Sequence, residues 1–201
     1  MDVTPTRSVV LELKDERRAM HEGYVFLDEK CLLLAGEMLR ELARYTDMQR
    51  AFLARWDAAV SVLQDAVARH GLGGLQVYPP ASFEHAELGR TPRSLMGVRL
   101  QEAQLRTGPH AAPPAVDRSP EAEDCRRAFA HLLEDAARLA AVAGNLERLS
   151  LEYRRAVRRA RALQDVLLPE IDRDVYEIET RLEELEQEDA IWMRPRPGSD
   201  A

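Results

Sequence analysis

Two long stretches of the chain place apolar residues at alternating steps of three and four and contain almost no helix breakers. The first extends from about residue 6 to residue 70, and the second from about residue 119 to residue 194. This 3.5-residue spacing is typical of a coiled-coil seam. Because such helices far exceed the mean length of about 11–12 residues, each needs a partner along most of its length. The sequence therefore predicts two long paired helices.

The seam positions are mostly aliphatic or aromatic. In the first stretch they are Val10, Leu13, Met20, Tyr24, Leu27, Cys31, Leu34 and Met38, then, after a slip of one step, Leu42, Tyr45, Phe52, Trp56, Leu63 and Val67. In the second they are Cys125, Phe129, Leu132, Ala136, Leu139, Ala143, Leu146, Tyr153, Val157, Ala160, Leu163, Leu167, Ile171, Val175, Ile178, Leu182, Leu185 and Trp192. One further seam position holds a charge, Arg17. The long 3.5-residue repeat implies a left-handed supercoil.

Helix breakers concentrate between the two stretches. Glycines at Gly71–Gly74 are expected to end the first helix, which Thr6 can cap at its start. Ser119 and Pro120 suit the N-cap and first position of the second helix. Between them, Leu75–Tyr78 reads as a short strand, and Leu95–Leu100 as another strand or half of a small hairpin.

We expect an all-α fold, a long antiparallel two-helix coiled-coil hairpin with a small irregular or β-hairpin segment at the mid-chain end. The pairing must be antiparallel because a short segment joins the two helices within one chain. The alternative is two separate amphipathic helices on a larger bundle. The expected parts are an N-terminal helix (1–70), a middle segment that forms the partner-binding end (71–118), a C-terminal helix (119–194) and a disordered tail (195–201).

Composition excludes several classes of protein. A net charge of −7 argues against a nucleic-acid binder. No apolar run approaches the roughly 18 residues of a membrane span, so we expect no membrane insertion. Two cysteines and an N-terminus without an apolar core indicate a cytoplasmic protein.

No catalytic, cofactor-binding or metal-binding constellation is present, and we expect no enzyme activity and no cofactor. Gly71–Gly74 lacks the Lys-Ser/Thr of a phosphate-binding loop. None of the five histidines has a glutamate three residues before it, and no pair has zinc-protease spacing.

Three features exceed what a plain coiled coil needs. Pro169 lies deep inside the second helix and should kink it. Five arginines crowd eight residues: Arg154, Arg155, Arg158, Arg159 and Arg161. They either pair across the helices, level with Asp28 and Glu29, or face acidic groups on a partner. The end of the second helix is acidic, through Asp172, Asp174, Glu177, Glu179, Glu183, Glu184, Glu186, Glu188 and Asp189.

These residues together resemble the D subunits of the V-type and A-type rotary ATPases. The resemblance rests on several short motifs in the family's order: Pro5-Thr6-Arg7-Ser8, Leu13-Lys14, Gly23 to Lys30, Met96-Gly97-Val98, Arg158 to Gln164, Leu168-Pro169, Tyr176-Glu177-Ile178 and Leu182 to Asp189. It covers about three quarters of the chain, and Arg17 and Arg161 depart from the family pattern.

The resemblance implies a non-catalytic central-stalk (rotor) protein that couples ATP hydrolysis or synthesis to ion movement. Implied partners are the catalytic A and regulatory B subunits of the ATPase head, the small F subunit of the central stalk, and the subunit linking the stalk to the membrane ring. The implied interface residues are Arg7, Lys14, Gly23, Lys30, Met96, Gly97, Val98, Arg158, Arg159, Leu163, Pro169, Tyr176, Glu184 and Glu188. The alternative function is a coiled-coil scaffold or chaperone-like hairpin that clamps protein partners.

Overall fold

The computed structural model describes residues 4–79, 86–106, 115 and 118–193. The elements, in chain order, are helix α1 (Arg7–Gln76), strands β1 (Glu87–Leu95) and β2 (Val98–Arg106), helix α2 (Pro120–Ala162), a π-helical turn (Leu163–Leu167) and helix α3 (Leu168–Trp192). The predicted fold class, an antiparallel coiled coil with a small β-hairpin, is confirmed. The expected disordered tail lies outside the described residues.

The chain forms two compact units. The first contains the described residues up to Leu32 and from Arg154 onward, and the second contains residues 33–153. In the first unit, the start of α1 runs antiparallel to α3. Arg7 Nη2 lies 2.7 Å from Glu186 Oε1, whereas Arg17, further along α1, forms an ion pair with Asp172, nearer the start of α3. The charged seam position found in the sequence is thus matched by an opposite charge.

Pro169 deforms its helix without ending it, as expected. The deformation is the π-helical turn before it, in which the N–H of Leu168 donates to the carbonyl of Leu163 instead of Gln164. A proline ring collides with the preceding turn of a regular α-helix and leaves a carbonyl without its donor. The wider turn gives the ring the space that it needs.

In the second unit, the rest of α1 runs antiparallel to α2. Arg55 pairs with Asp135 and Arg69 with Glu121. The predicted N-cap is confirmed, since the Oγ atom of Ser119 accepts the N–H of Ala122 at 3.3 Å. The aliphatic core between the helices consists of small and medium side chains, buried at Ala59, Ala66, Leu132 and Val142.

Gly71 leaves helical geometry, with φ 69° and ψ 163°, so the long helix is interrupted there as predicted, and a further helical stretch continues to Gln76. Two other predictions for the middle segment are wrong. No strand spans Leu75–Tyr78. The stretch Leu95–Leu100 is not one strand because it contains the hairpin turn.

That turn consists of Met96 and Gly97, with φ values of 47° and 84°. Two successive positive φ values make a turn whose twist matches that of antiparallel strands. The register begins at Leu95↔Val98 and ends at Glu87↔Arg106. The hairpin predicted in this region is therefore present, with its turn where a strand was expected.

Candidate partner interface

An apolar cluster attaches the β-hairpin to the helices of the second unit. Leu34 and Leu149 of the helices and Val98 and Leu100 of β2 are buried together. Half-buried side chains complete the cluster: Met38, Leu95, Met96 and Tyr153. Met38, which belongs to this cluster, lies about 48 Å along α1 from His70, at a rise of about 1.5 Å per residue. The middle segment therefore extends back along the helices as well as joining their ends.

A buried polar cluster holds β1 beside these apolar contacts. The side chains of Glu37 and Glu41 on α1 are only 7% and 4% exposed. Arg93 of β1 reaches both, with its Nη2 atom 2.9 Å from Glu41 Oε1 and in contact with Glu37. Arg40 also donates to Glu37, at 2.6 Å. Buried carboxylates are tolerated only when paired in this way.

The cluster shifts the pKa of its members. Burial opposes the charged form of Glu37, but hydrogen bonds from Arg93 and Arg40 outweigh it, so the pKa of Glu37 lies below its usual range. The hydrogen bond to Glu37 raises the pKa of Arg93 in turn. Both side chains therefore stay charged at neutral pH and attract each other.

Asn145 of α2 binds the free edge of β2. Its Oδ1 atom accepts the N–H of Gln101 at 2.8 Å, and its Nδ2 atom donates to the Gln101 carbonyl at 3.0 Å. The Nδ2 atom also lies 3.4 Å from Glu41. Because Asn145 is 1% exposed, its amide replaces a neighbouring strand in a site from which water is excluded.

Sequence reasoning missed this cluster. It assigned the seam position to Leu42, which is 48% exposed, whereas Glu41 beside it is buried. Trp56, another assigned seam residue, is 46% exposed, although its ring packs edge-on against Phe129 of α2. A carboxylate at a seam position looks like a break in the pattern, and Arg93, which pairs with both carboxylates, lies more than 50 residues away. Only the slip after Met38 signals that the packing changes here.

The implied interface residues occupy several separate places. In the first unit Arg7 pairs with Glu186, and Lys14 Nζ lies 2.5 Å from Glu179. A methyl group at Gly23 would lie 3.8 Å from Leu163, an ordinary contact, so packing alone does not require glycine there. Of the hairpin residues, Val98 is buried while Gly97 is exposed. Lys30 is half-buried.

Four of the five arginines of the run do not pair as the simpler interpretation expects. Within the described part of the first unit, Arg154, Arg158, Arg159 and Arg161 form no ion pair, with Asp28, Glu29 or any other acid. All four are exposed. Arg154, Arg158 and Arg161 lie within about 60° of one another around the helix axis. They form an arginine stripe of like charges, which repel at these spacings.

The end of α3 is exposed and mixed in character. Tyr176, Glu184 and Glu188 face solvent. The final residues Ile191 and Trp192 are apolar and exposed. None of these implied interface residues is buried within the unit to which it belongs, so their side chains are free to meet another molecule.

The described residues contain no group of three or more histidine, cysteine, aspartate or glutamate side chains placed to hold a metal ion. None of the helices in this part of the chain combines the length and apolar content that a membrane crossing requires.

A family model that describes the D subunit of ATP synthase matches residues 9–194. The chain belongs to the family of ATP synthase D subunits. Among similar proteins is the D subunit of the V-type ATP synthase of Thermotoga neapolitana, 27% identical over 195 residues that cover 96% of each chain.

Archaeal members of the family are similarly related. The D subunit of the A-type ATP synthase of Pyrococcus furiosus is 28% identical over 198 residues, which cover 96% of this chain and 92% of the relative. That of Methanopyrus kandleri is 25% identical over 196 residues, covering 96% and 84%. The resemblance inferred from short motifs is therefore confirmed along almost the full length of the chain.

Proposed function

We propose that this chain is the non-catalytic central-stalk, or rotor, protein of a V/A-type ATPase. It transmits torque between ATP hydrolysis or synthesis in the catalytic head and ion translocation through the membrane ring. The observation that carries the proposal is the match to the D-subunit family over residues 9–194. The relatives' names supply the V-type and A-type classes.

The helix pairing supports a mechanical role. Torque requires that paired helices do not slide past each other. In the first unit, Arg17 pairs with Asp172 across the two helices, and both side chains are about half exposed. This pair and two other ion pairs between these helices favour one register, because any other register leaves their charges unmatched. Pro169 and its π-helical turn make this unit locally irregular, which suits a shaft that presents different surfaces to the sites around it.

The arginine stripe supports contact with acidic groups of the surrounding subunits. Arg154, Arg158 and Arg161 are exposed, repel one another and lack a partner among the described residues of their unit. Carboxylates on a partner would relieve this repulsion. A rotating contact must also be shallow and polar, since deep apolar anchors would hold it in one position.

The proposed partners are the catalytic and regulatory head subunits, the small central-stalk subunit and the subunit that links stalk and ring. The proposed contact residues are Arg7, Lys14, Gly23, Lys30, Met96, Gly97, Val98, Arg158, Arg159, Leu163, Pro169, Tyr176, Glu184 and Glu188. Val98 is buried and acts by supporting the hairpin. In this proposal, residues 1–70 and 119–194 are the shaft and residues 71–118 are the partner-binding segment. The protein as a whole belongs to the complex at the cytoplasmic face of the membrane.

Co-purification tests this proposal. The tagged chain is isolated from gently solubilised membranes of its own cell, and its partners are identified by mass spectrometry. We expect head subunits, a small stalk subunit and the membrane ring in fixed ratios. The variant with alanine at Arg154, Arg158 and Arg161 should retain fewer head subunits, whereas Arg127→Ala, at an exposed arginine of α2, should not. Recovery of the chain alone, or as a homo-oligomer with unrelated proteins, would instead support the scaffold function.

A further inference from the structure

The β-hairpin has one face against the helices and one face away from them. Arg93 and Leu100 are cross-strand partners, and both contact the helices of the second unit. Successive side chains of a strand point to opposite faces. The opposite face, called the outer face below, therefore carries Leu88, Arg90, Pro92, Ser94, Arg99, Gln101, Ala103 and Leu105.

The outer face is basic. Its two charged residues are Arg90 and Arg99, both exposed and without an ion pair to any described residue. The two acids of the hairpin, Glu87 and Glu102, occupy positions of the other face, where Glu102 binds Arg44 at 3.1 Å. A chain with a net charge of −7 thus presents here a surface that contains only positive charge.

The strand edges are interrupted at their middle. Both backbone groups of Gln101 bind Asn145, so the β2 edge is occupied at this residue. Its partner across the sheet is Pro92, which has no N–H to offer from the middle of the β1 edge. Proline on an edge strand blocks further pairing. A partner therefore has to bind the outer face through side chains.

The chemistry of the outer face selects an acidic partner. Arg99 lies opposite Ser94, four residues from Arg90, so the two arginines are about 13 Å apart along the strands. Two carboxylates seven residues apart lie on one face of a helix, about 10.5 Å apart along its axis, and the long side chains span the remaining distance. Arginine binds carboxylate with paired hydrogen bonds, and the exposed Leu88 beside Arg90 adds apolar contact.

Polyanions fit this surface poorly. Nucleic acids and anionic membranes bind through many basic groups at once. Here only two arginines are available, on a chain whose net charge repels such surfaces. A short acidic segment of a protein needs no more than these two.

We propose that the outer face of the hairpin is a docking surface for an acidic helical segment of another subunit of the ATPase. This proposal rests on the proposed function, because it requires the assembled complex. It adds the location of the contact and the chemical character of the partner.

Carbodiimide coupling in the assembled complex tests the proposal. The substitutions Arg90→Lys and Arg99→Lys keep the charge and supply amines that couple only to carboxylates in direct contact. Thr91→Lys, at an exposed neighbour on the other face, is the matched control. The native lysine Lys14 lies 2.5 Å from Glu179, so their cross-link reports that the reagent has worked.

We expect the lysines at positions 90 and 99 to couple to aspartate or glutamate residues of another subunit. The Thr91→Lys control should not form this product. Separately, Arg90→Glu with Arg99→Glu should lower retention of that subunit by about tenfold or more. Coupling confined to this chain, or to phosphate groups of lipid or nucleic acid, in a complex that retains its subunits would overturn the docking proposal alone. Isolation of the chain without any other subunit would overturn the proposed function as well.

Discussion

Replacing Asn145 by alanine should release the β-hairpin from the helices. Asn145 satisfies both backbone groups of Gln101 and approaches Glu41. Its removal leaves two neutral groups, part of a carboxylate and the Nη2 donor of Arg148 without this partner. Each unsatisfied buried group costs about 1–3 kcal/mol. Because Gln101 is only half-buried, water replaces part of this loss, and we expect hairpin attachment to weaken by about 2–4 kcal/mol.

Amide hydrogen exchange measures this effect where it occurs. A loss of about 2–4 kcal/mol in local opening free energy lowers protection by about 30- to 1,000-fold. The loss should be confined to β2 and its pairing partner, while amides in the middle of α2 change little. Glu147→Ala, an exposed position two residues along the same helix, should alter stability by no more than about 0.5 kcal/mol. If the Gln101 backbone amide exchanged at the same rate in Asn145→Ala and in the unaltered protein, the role assigned to the Asn145 side chain would be refuted.

Three further predictions concern single positions. The pKa of Glu37 is lowered in the folded chain, so its stabilising contribution is complete above its unfolded pKa and disappears as pH falls through its folded pKa. The difference in free energy of unfolding between the unaltered protein and Glu37→Gln, measured by urea titration, should shrink over that pH range. Gly97→Ala should destabilise the hairpin by about 1 kcal/mol in thermal melts, since φ is 84°, whereas Gly73→Ala, inside the helix, should be neutral or stabilising. Pro169→Ala should stabilise the first unit by up to about 3 kcal/mol and abolish the π-helical turn, as measured by hydrogen exchange and NMR. Glu170→Ala is the control, and a turn that persists in Pro169→Ala would show that proline does not cause it.

The helical pairing was predictable because it depends on local patterns. The 3.5-residue seam specifies the partner face without knowledge of the partner's sequence. Ser119 and Pro120 mark a helix start through rules that involve only neighbouring residues. The deformation at Pro169 also follows from the chemistry of a single residue.

The attachment of the hairpin was not predictable because it depends on distant polar partners. Glu41 and Asn145 are 104 residues apart, and neither looks like a core residue by pattern. Their burial makes sense only once Arg93 and the Gln101 backbone are known to lie beside them. Four arginines of the run show the converse error, since Asp28 and Glu29, the acids at the expected level, do not pair with them within the described part of the first unit. Two residues at the same height along a pair of helices do not necessarily have side chains that reach each other.

The most direct test of the rotor function is observation of rotation in a single complex. The catalytic head is fixed to a surface and a bead is attached to this chain through a cysteine introduced at Arg127, the exposed α2 position that serves as a control in the co-purification test. The rotor function predicts that ATP drives the bead in one direction, in equal steps that match the number of catalytic sites. A bead that stays still relative to the head, while the same complexes hydrolyse ATP and pump ions, would contradict it.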